Sequence, residues 1–178
     1  TGGALLFEKH STRTRLSREL GTGQLGGHPV SLRNEEVGID TRETAEDLAR
    51  VYSGMGAVIG ARVFEHAKLV RMAGAATVPV INLLSDDAHP VQALADLLTM
   101  RQRLGPLDGR SVAYVGDGNN VCVSLMQAAA LAGMGMRVAT PSGSAPPAHR
   151  LSRPPTAPGR AAQGWAPVAT HNRASLRH

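Results

Sequence analysis

Cysteine and aromatic residues are scarce in this sequence. Its 178 residues include one Cys, one Trp, two Tyr and two Phe. The lone thiol, Cys122, excludes an internal disulfide and favours a reducing compartment, so we expect a cytoplasmic location. So few aromatic rings leave little surface on which nucleic-acid bases could stack.

Long apolar runs are lacking, and so are acidic residues in the C-terminal part. No run is long enough to span a bilayer, so no membrane partner is expected. The formal charge is +5, yet no Asp or Glu follows Asp117, and six arginines lie beyond residue 136. Residues 1–136 therefore carry 13 cations against 14 acids and are almost neutral. This balance disfavours nucleic acid as a partner.

Proline is concentrated at the C-terminal end. Residues 141–178 contain seven of the 11 prolines. A segment of this kind cannot bury enough apolar area to offset its ordering entropy, so we predict disorder there. Because the chain has 17 Arg but two Lys, we hypothesise that a shifted reading frame in GC-rich DNA produced this tail. A natural disordered tail is the alternative.

Short apolar runs alternate with helical patterns from Gly21 onwards, which predicts parallel strands joined by crossover helices. Strands are predicted at 28–32, 57–61, 78–83, 112–115 and 137–139. Helices are predicted at 16–20 (ended by Gly21), 43–52, 65–75, from His89-Pro90 onwards, and at 120–131. The fold class is therefore α/β. A Gly- and Pro-rich turn at 105–109 predicts a domain boundary, giving domains at 1–104 and 105–140.

The run 7–15 places hydroxyl and guanidinium groups at a predicted helix start. Unpartnered N–H groups and the helix dipole make such a place a site for a small dianion. Hydroxyls would add donors, and an arginine fork would add charge-assisted hydrogen bonds. The groups concerned are Ser11, Thr12, Arg13, Thr14 and Arg15. By itself, such a run is more often a solvated helix cap with surface arginines.

Two further motifs follow at characteristic places. His89-Pro90-Val91-Gln92 comes after an apolar strand, and Gly116-Asp117-Gly118-Asn119-Asn120 comes after another. Together with Phe7-Glu8-Lys9-His10-Ser11-Thr12-Arg13-Thr14-Arg15, they resemble the aspartate/ornithine carbamoyltransferase family, and its ornithine branch in particular. The resemblance covers residues 1–140. It implies two doubly wound parallel-sheet domains, the first nearly complete and the second truncated, in a fragment that lacks an N-terminal helical segment.

The resemblance implies a reaction and its partners. In the family, carbamoyl phosphate donates its carbamoyl group to the side-chain amine of L-ornithine, which gives L-citrulline and phosphate in arginine metabolism. Neither a cofactor nor a metal is implied. Members form homotrimers whose sites lie at subunit interfaces, so self-association is expected.

The resemblance also implies individual roles. Ser11, Thr12, Arg13, Thr14 and Arg62 would hold carbamoyl phosphate, with Thr14 and Arg62 near its carbonyl oxygen. His89 would donate to that oxygen, and Gln92 would accept from the carbamoyl NH₂. Asn120 would bind the amino-acid end of ornithine. Arg13, Arg62, His89 and Gln92 are the expected catalytic residues.

Three alternatives remain. A dinucleotide site fits poorly, because Val121 occupies the third glycine position and no acidic residue follows to bind a ribose. Another amine, such as putrescine or an acylated ornithine, is the second choice of substrate. It stays open because the family's Asp-x-x-Ser-Met-Gly and His-Cys-Leu-Pro segments, which complete the ornithine site, have no counterpart here. A non-catalytic remnant that binds carbamoyl phosphate is the third.

Glu36 lies where the family often has glutamine. Its carboxylate would lie near a phosphate, which is unfavourable, so Glu36 receives no role.

Overall fold

A computed structural model describes residues 2–147 of the protein. The chain divides into two compact units, one ending at Asp86 and the other beginning at Asp87. Most of the tail predicted to be disordered, residues 148–178, lies outside the described residues. Between residues 2 and 147, no helix has the length and apolar character needed to cross a bilayer.

The first unit is built around a parallel sheet of four strands in the order β2-β1-β3-β4. Its elements are β1 (Gly2–Phe7), α1 (Thr12–Gln24), β2 (His28–Arg33), α2 (Asn34–Val37), α3 (Ala45–Met55), β3 (Val58–Arg62), α4 (His66–Ala75) and β4 (Val80–Leu84). Every pairing is parallel, which confirms the predicted α/β class.

The strand order changes direction between β1 and β3. From β1 the chain passes to β2 on one side, and it later returns to β3 and β4 on the other. Phe7, the last residue of β1, lies level with Arg33 of β2 and Arg62 of β3. In open parallel sheets, ligands bind in the crevice at the carboxyl ends of the strands where the order reverses.

A continuous apolar core lies between the sheet and its helices. Leu6, Ile59 and Val63 contribute from the strands and their ends, while Leu48 of α3 and Met72 of α4 contribute from the helices. Each of these side chains is at most 2% exposed. Full burial of one such side chain is worth about 1.5–3 kcal/mol. Helices α3 and α4 therefore hold β3 in place.

Helix α1 continues beyond its predicted end. It runs through Gly21 to Gln24, and Gly26, with φ of 78°, provides the left-handed residue at which the helix terminates. The prediction that Gly21 ends the helix was therefore wrong. Gly26 can stop the helix because its N–H donates to the carbonyl of Gly23 at 3.0 Å.

Two elements, β1 and α2, were not predicted from the sequence. Strand β1 begins with Gly2-Gly3, and glycine is depleted in strands, yet this strand lies inside the sheet. A side chain at Gly3 would come within 3.0 Å of Val58 in the adjacent strand, so a small residue suits this close approach. The short helix α2 occupies a stretch without a recognisable periodic pattern.

The second unit contains α5 (Pro90–Leu104), β5 (Ser111–Val115), α6 (Asn120–Leu131) and β6 (Gly135–Ala139). Strands β5 and β6 pair in parallel from Ser111↔Gly135 to Val115↔Ala139. Helix α5 packs against α6, and for that reason it groups with the second unit. The compact units thus divide after Asp86, whereas the predicted domain boundary follows residue 104.

Candidate functional site

The N-terminus of α1 presents a capped helix turn with no acidic residue. Ser11 is the N-cap, and its Oγ accepts a hydrogen bond from the backbone N–H of Thr14 at 3.2 Å. The first helical residues are Thr12, Arg13 and Thr14, of which Thr12 and Arg13 are exposed. A turn of this kind combines the positive end of the helix dipole with hydroxyl and guanidinium donors.

The two arginines of the run 7–15 have different surroundings. Arg15 Nε lies 3.3 Å from the carboxylate of Glu19, one turn along α1. This ion pair occupies Arg15 and leaves the exposed Arg13 as the arginine of the first turn that is suited to an incoming anion.

Arg62 joins this helix turn from the end of β3. Its Nη1 donates to Thr14 Oγ1 at 3.3 Å, although the two residues are 48 positions apart. Its Nε–H is buried and has no hydrogen-bond partner within the described residues. Burial lowers the pKa of Arg62, but an arginine remains charged at neutral pH. A buried cationic donor without a partner is costly unless a ligand supplies the acceptor.

Backbone hydrogen bonds fix the two strand ends that carry these groups. The N–H groups of Glu8 and Lys9, just after β1, both donate to the carbonyl of Arg62, at 2.9 and 3.3 Å. The loop that leads from β1 into α1 is thereby attached to the end of β3. Ser11, Thr14 and Arg62 are thus three predicted site residues that the fold brings together.

Lys9 belongs to the same run but is already engaged. Its ammonium lies 3.4 Å from the carboxylate of Asp86 and 5.1 Å from the centre of the Phe64 ring. The first contact is a partly exposed ion pair and the second a cation–π contact. Lys9 therefore links the ends of β1, β3 and β4.

Glu36 turns back on its own segment. Its carboxylate accepts a hydrogen bond from the backbone N–H of Arg33 at 2.9 Å, across the start of α2. The side chain of Arg42 in turn donates to the backbone carbonyl of Glu36 at 3.1 Å. The Glu36 carboxylate thus caps a helix in this chain.

His89 and Gln92 lie in the second unit. His89 is the N-cap of α5. Pro90 is the first helical residue, a position at which a missing backbone N–H is tolerated. The His89 N–H donates to Ser124 Oγ of α6 at 2.7 Å. The Gln92 amide NH₂ donates to Asp96 at 2.9 Å, an orientation that leaves the amide oxygen as an acceptor.

The Gly116–Asn120 turn is shaped by Asn119. The Asn119 side chain accepts hydrogen bonds from the N–H groups of Val121 and Cys122 at 3.0 and 3.3 Å, and so caps α6. Asn120, the expected ornithine ligand, is the first residue of this helix. Asn119 therefore caps the helix, whereas Asn120 is its first helical residue.

Cys122 is a core residue of α6. Its side chain is fully buried, and burial raises the pKa of the thiol to about 11. A thiol with this pKa is protonated at neutral pH, so it is neither a good nucleophile nor a metal ligand. Across residues 2–147, no group of three or more His, Cys, Asp or Glu side chains is arranged to hold a metal ion.

Comparison with protein families gives two adjoining matches. Residues 2–102 match the model for the aspartate/ornithine carbamoyltransferase carbamoyl-P binding domain. Residues 108–157 match the model for the Asp/Orn binding domain of the same proteins. The match to the first model alone covers more than half of the chain.

Two curated relatives are named for the enzyme that transfers a carbamoyl group to ornithine. The chain is 51% identical over 150 residues to the ornithine carbamoyltransferase of Acidothermus cellulolyticus, a match that covers 84% of this chain and 48% of the relative. It is 50% identical over 143 residues to the mitochondrial ornithine transcarbamylase of Gallus gallus, with 80% and 40% covered. The chain spans about half the length of the curated relatives it matches.

Solved structures agree with this similarity. The ornithine carbamoyltransferase from Pyrococcus furiosus aligns with a TM-score of 0.82 at 45% identity, covering 85% of this chain and 48% of that one. The enzyme from Thermus thermophilus aligns with a TM-score of 0.79 at 50% identity, with 85% and 53% covered.

Proposed function

The chain belongs to the aspartate/ornithine carbamoyltransferase family, and on that premise we propose that it binds carbamoyl phosphate and transfers the carbamoyl group to L-ornithine. The observation that carries the proposal is the contact between Arg62 and Thr14 at the capped start of α1. It lies where the strand order reverses, at the carboxyl ends of β1 and β3.

The first unit would hold the phosphate group. Ser11, Thr12, Arg13 and Thr14 supply hydroxyls, a guanidinium and helix N–H groups. Arg62 adds a second guanidinium whose Nε–H is buried without a partner in the described part of the chain. Charge-assisted hydrogen bonds of this type contribute about 1.5–3 kcal/mol each.

The proposed reaction is a direct group transfer. The neutral amine attacks the carbonyl carbon of carbamoyl phosphate, and the bond between this carbon and the phosphate oxygen breaks. Phosphate leaves with the electron pair and takes up the proton that the amine loses. Negative charge develops on the carbonyl oxygen as the tetrahedral centre forms. Thr14 and Arg62 would donate to this oxygen, and fixed donors aimed at such charge are a large source of rate enhancement.

His89 and Gln92 are also proposed to contact carbamoyl phosphate. We assign His89 as a further donor to the carbonyl oxygen and Gln92 as the acceptor from the carbamoyl NH₂ group. The hydrogen bond from the Gln92 amide to Asp96 supports this role, because it orients the amide oxygen as the free acceptor. Asn120 is proposed to bind the amino and carboxylate groups of ornithine.

Ornithine is the preferred amine because the similar curated proteins cited above bear its name. The whole protein would act as a homotrimer in arginine metabolism. A cytoplasmic location is proposed on the single cysteine, although two relatives are named as mitochondrial.

A second candidate function is carbamoyl-phosphate binding without turnover. It is favoured by the first unit, in which Ser11, Thr14 and Arg62 lie together at the proposed phosphate site. The purified chain should be assayed for citrulline formed from carbamoyl phosphate and ornithine, with putrescine in a parallel reaction. Citrulline above the uncatalysed background supports the transferase. Saturable binding of carbamoyl phosphate with no product supports the binding remnant, and absence of both would contradict the two proposals together.

A further inference from the structure

Glu8 connects the two strand ends that carry the proposed phosphate site. Its backbone N–H donates to the carbonyl of Arg62 at 2.9 Å. Its carboxylate Oε2 accepts from the backbone N–H of Phe64, two residues beyond Arg62, also at 2.9 Å. Glu8 therefore contacts Arg62 itself and the segment that follows it, and Ser11 lies three residues after Glu8.

The other oxygen of this carboxylate is neutralised. Glu8 Oε1 lies 2.6 Å from the ammonium of Lys68, on α4, and the two side chains are 10% and 11% exposed. A bare carboxylate beside an anion site would repel the ligand, and a buried unpaired charge is strongly destabilising. The Lys68 ammonium thus offsets the charge of the Glu8 carboxylate at this place.

The arrangement differs from that of an ion pair whose only effect is stability. A buried ion pair is often no more stable than an apolar pair of similar size. Here one oxygen of the Glu8 carboxylate accepts a hydrogen bond from the Phe64 N–H. The Glu8–Lys68 ion pair therefore joins the end of β1 to the segment that follows β3. The carboxylate supplies a geometric link that an apolar side chain would lack.

We propose that Glu8 is a positioning residue, which holds the Ser11–Thr14 turn against Arg62 so that both can bind one phosphate group. This inference rests on the proposed function of that site. Without the carboxylate, the strand ends keep the backbone hydrogen bonds to the Arg62 carbonyl, the Lys9 contacts with Phe64 and Asp86, and the single hydrogen bond from Arg62 to Thr14. A misplacement of about 1 Å in such a site can cost up to about a hundredfold.

The test compares two double variants of the full chain that both remove the buried charges. Glu8→Gln with Lys68→Met keeps an amide oxygen that can accept from the Phe64 N–H. Glu8→Leu with Lys68→Met keeps a similar volume but has no acceptor. Because neither buries an unpaired charge, both are expected to fold.

Calorimetric titration with carbamoyl phosphate is the first readout. We expect the Gln variant to bind within threefold of wild type and the Leu variant to bind at least tenfold more weakly. Glu46→Ala, which removes a carboxylate that lies 3.1 Å from Arg71 in the same unit, is the control and should stay within twofold. Equal affinities in the two double variants would overturn the inference.

Nuclear magnetic resonance of the ligand-free protein is the second readout, and it separates this inference from the proposed function. The signals of the Thr14 amide and the Arg62 Nε–H should move in the Leu variant and stay near their wild-type positions in the Gln variant. Should the wild type bind no carbamoyl phosphate, the proposed function fails, and these signals decide the role of Glu8. Unmoved signals in the Leu variant would refute it.

Discussion

The guanidinium of Arg62 lies 3.3 Å from the hydroxyl of Thr14, so the end of a central strand and the first turn of a helix share one hydrogen bond. The chain between the two residues builds β2, α2 and α3 before it returns to the centre of the sheet. The parallel pairing of β1 with β3 brings them together, because it sets Phe7 level with Arg62. Their proximity is therefore a direct consequence of the strand order.

Loss of the Ser11 hydroxyl should have two separable effects. Ser11→Ala removes the cap of α1 and should lower the free energy of unfolding by about 1 kcal/mol. It also removes a donor from the proposed site, so the affinity for carbamoyl phosphate should fall as well. Urea denaturation and calorimetric titration measure the two effects.

Thr44→Ala is the matched control for Ser11→Ala. Thr44 caps α3 by accepting from the Asp47 N–H at 3.1 Å. The control should lose similar stability and keep the wild-type affinity. A loss of affinity of the same size in both variants would mean that Ser11 acts through stability alone.

Gly118→Ala should destabilise the second unit. A Cβ at this position would come within 2.3–2.5 Å of the backbone N and Cδ of Pro146 and the carbonyl oxygen of Ser144. Because backbone atoms must move to admit it, we expect a loss of about 1–3 kcal/mol. Denaturation monitored at Tyr114, in β5 of this unit, measures the change.

Gly54→Ala in α3 is the control for the glycine substitution. No atom lies within 4 Å of the Cβ that would be added at Gly54. This variant should gain about 0.5–1 kcal/mol, the usual benefit of alanine within a helix. Equal effects of the two substitutions would contradict the described packing of Ser144 and Pro146 on Gly118.

Ionisation of Cys122 should make stability fall at alkaline pH. Burial raises the pKa of its thiol from 9.0 to about 11. In the unfolded chain the thiol loses its proton at the lower pH, so above pH 9 the unfolded state binds fewer protons than the folded state, and unfolding is favoured. The contribution of Cys122 is therefore fully present below about pH 9 and is lost as the pH rises towards 11.

Comparison of wild type with Cys122→Ala separates the effect of thiol ionisation on stability from the effects of lysine and tyrosine side chains that lose a proton over the same pH range. The free energies of unfolding of wild type and variant should differ most below pH 9 and converge as the pH approaches 11. A difference that stays constant over this range would contradict a raised thiol pKa. Slow alkylation of the native thiol at pH 8 is a second expected result, since the protonated thiol is a poor nucleophile.

The sequence patterns predicted most of the alternating strands and helices, because those elements have a recognisable apolar period. The predicted 57–61 strand and the observed Val58–Arg62 differ by one residue at each end, and the helix Asn120–Leu131 was predicted with its observed bounds. Strand β1 was missed because Gly2 and Gly3 have low strand propensity, and only the fold reveals that this strand is central.

The candidate site was predictable in part. A sequence motif identifies Ser11–Thr14 as site residues, and the pattern places Arg62 at the end of a strand. The hydrogen bond between Arg62 and Thr14 depends on the strand order, which the sequence patterns did not predict. The contacts of Glu8 with Phe64 and Lys68 span 56 and 60 positions, and no local period signals them. Side-chain pairing between distant elements was therefore visible only in the structure.

The most direct test of the account is a calorimetric titration of the full chain with carbamoyl phosphate, for wild type and Arg62→Met. Met keeps much of the side-chain length but removes the charged donors, so a weakening of about 10- to 100-fold is expected from the loss of a charge-assisted hydrogen bond. Arg50→Met, at an exposed arginine of α3 that pairs with Asp47, is the control and should bind as wild type does. Saturable wild-type binding that Arg62→Met weakens and Arg50→Met leaves intact is the predicted result. Equal binding by wild type and Arg62→Met, or no binding by wild type, would contradict the assignment of this strand end as the carbamoyl-phosphate site.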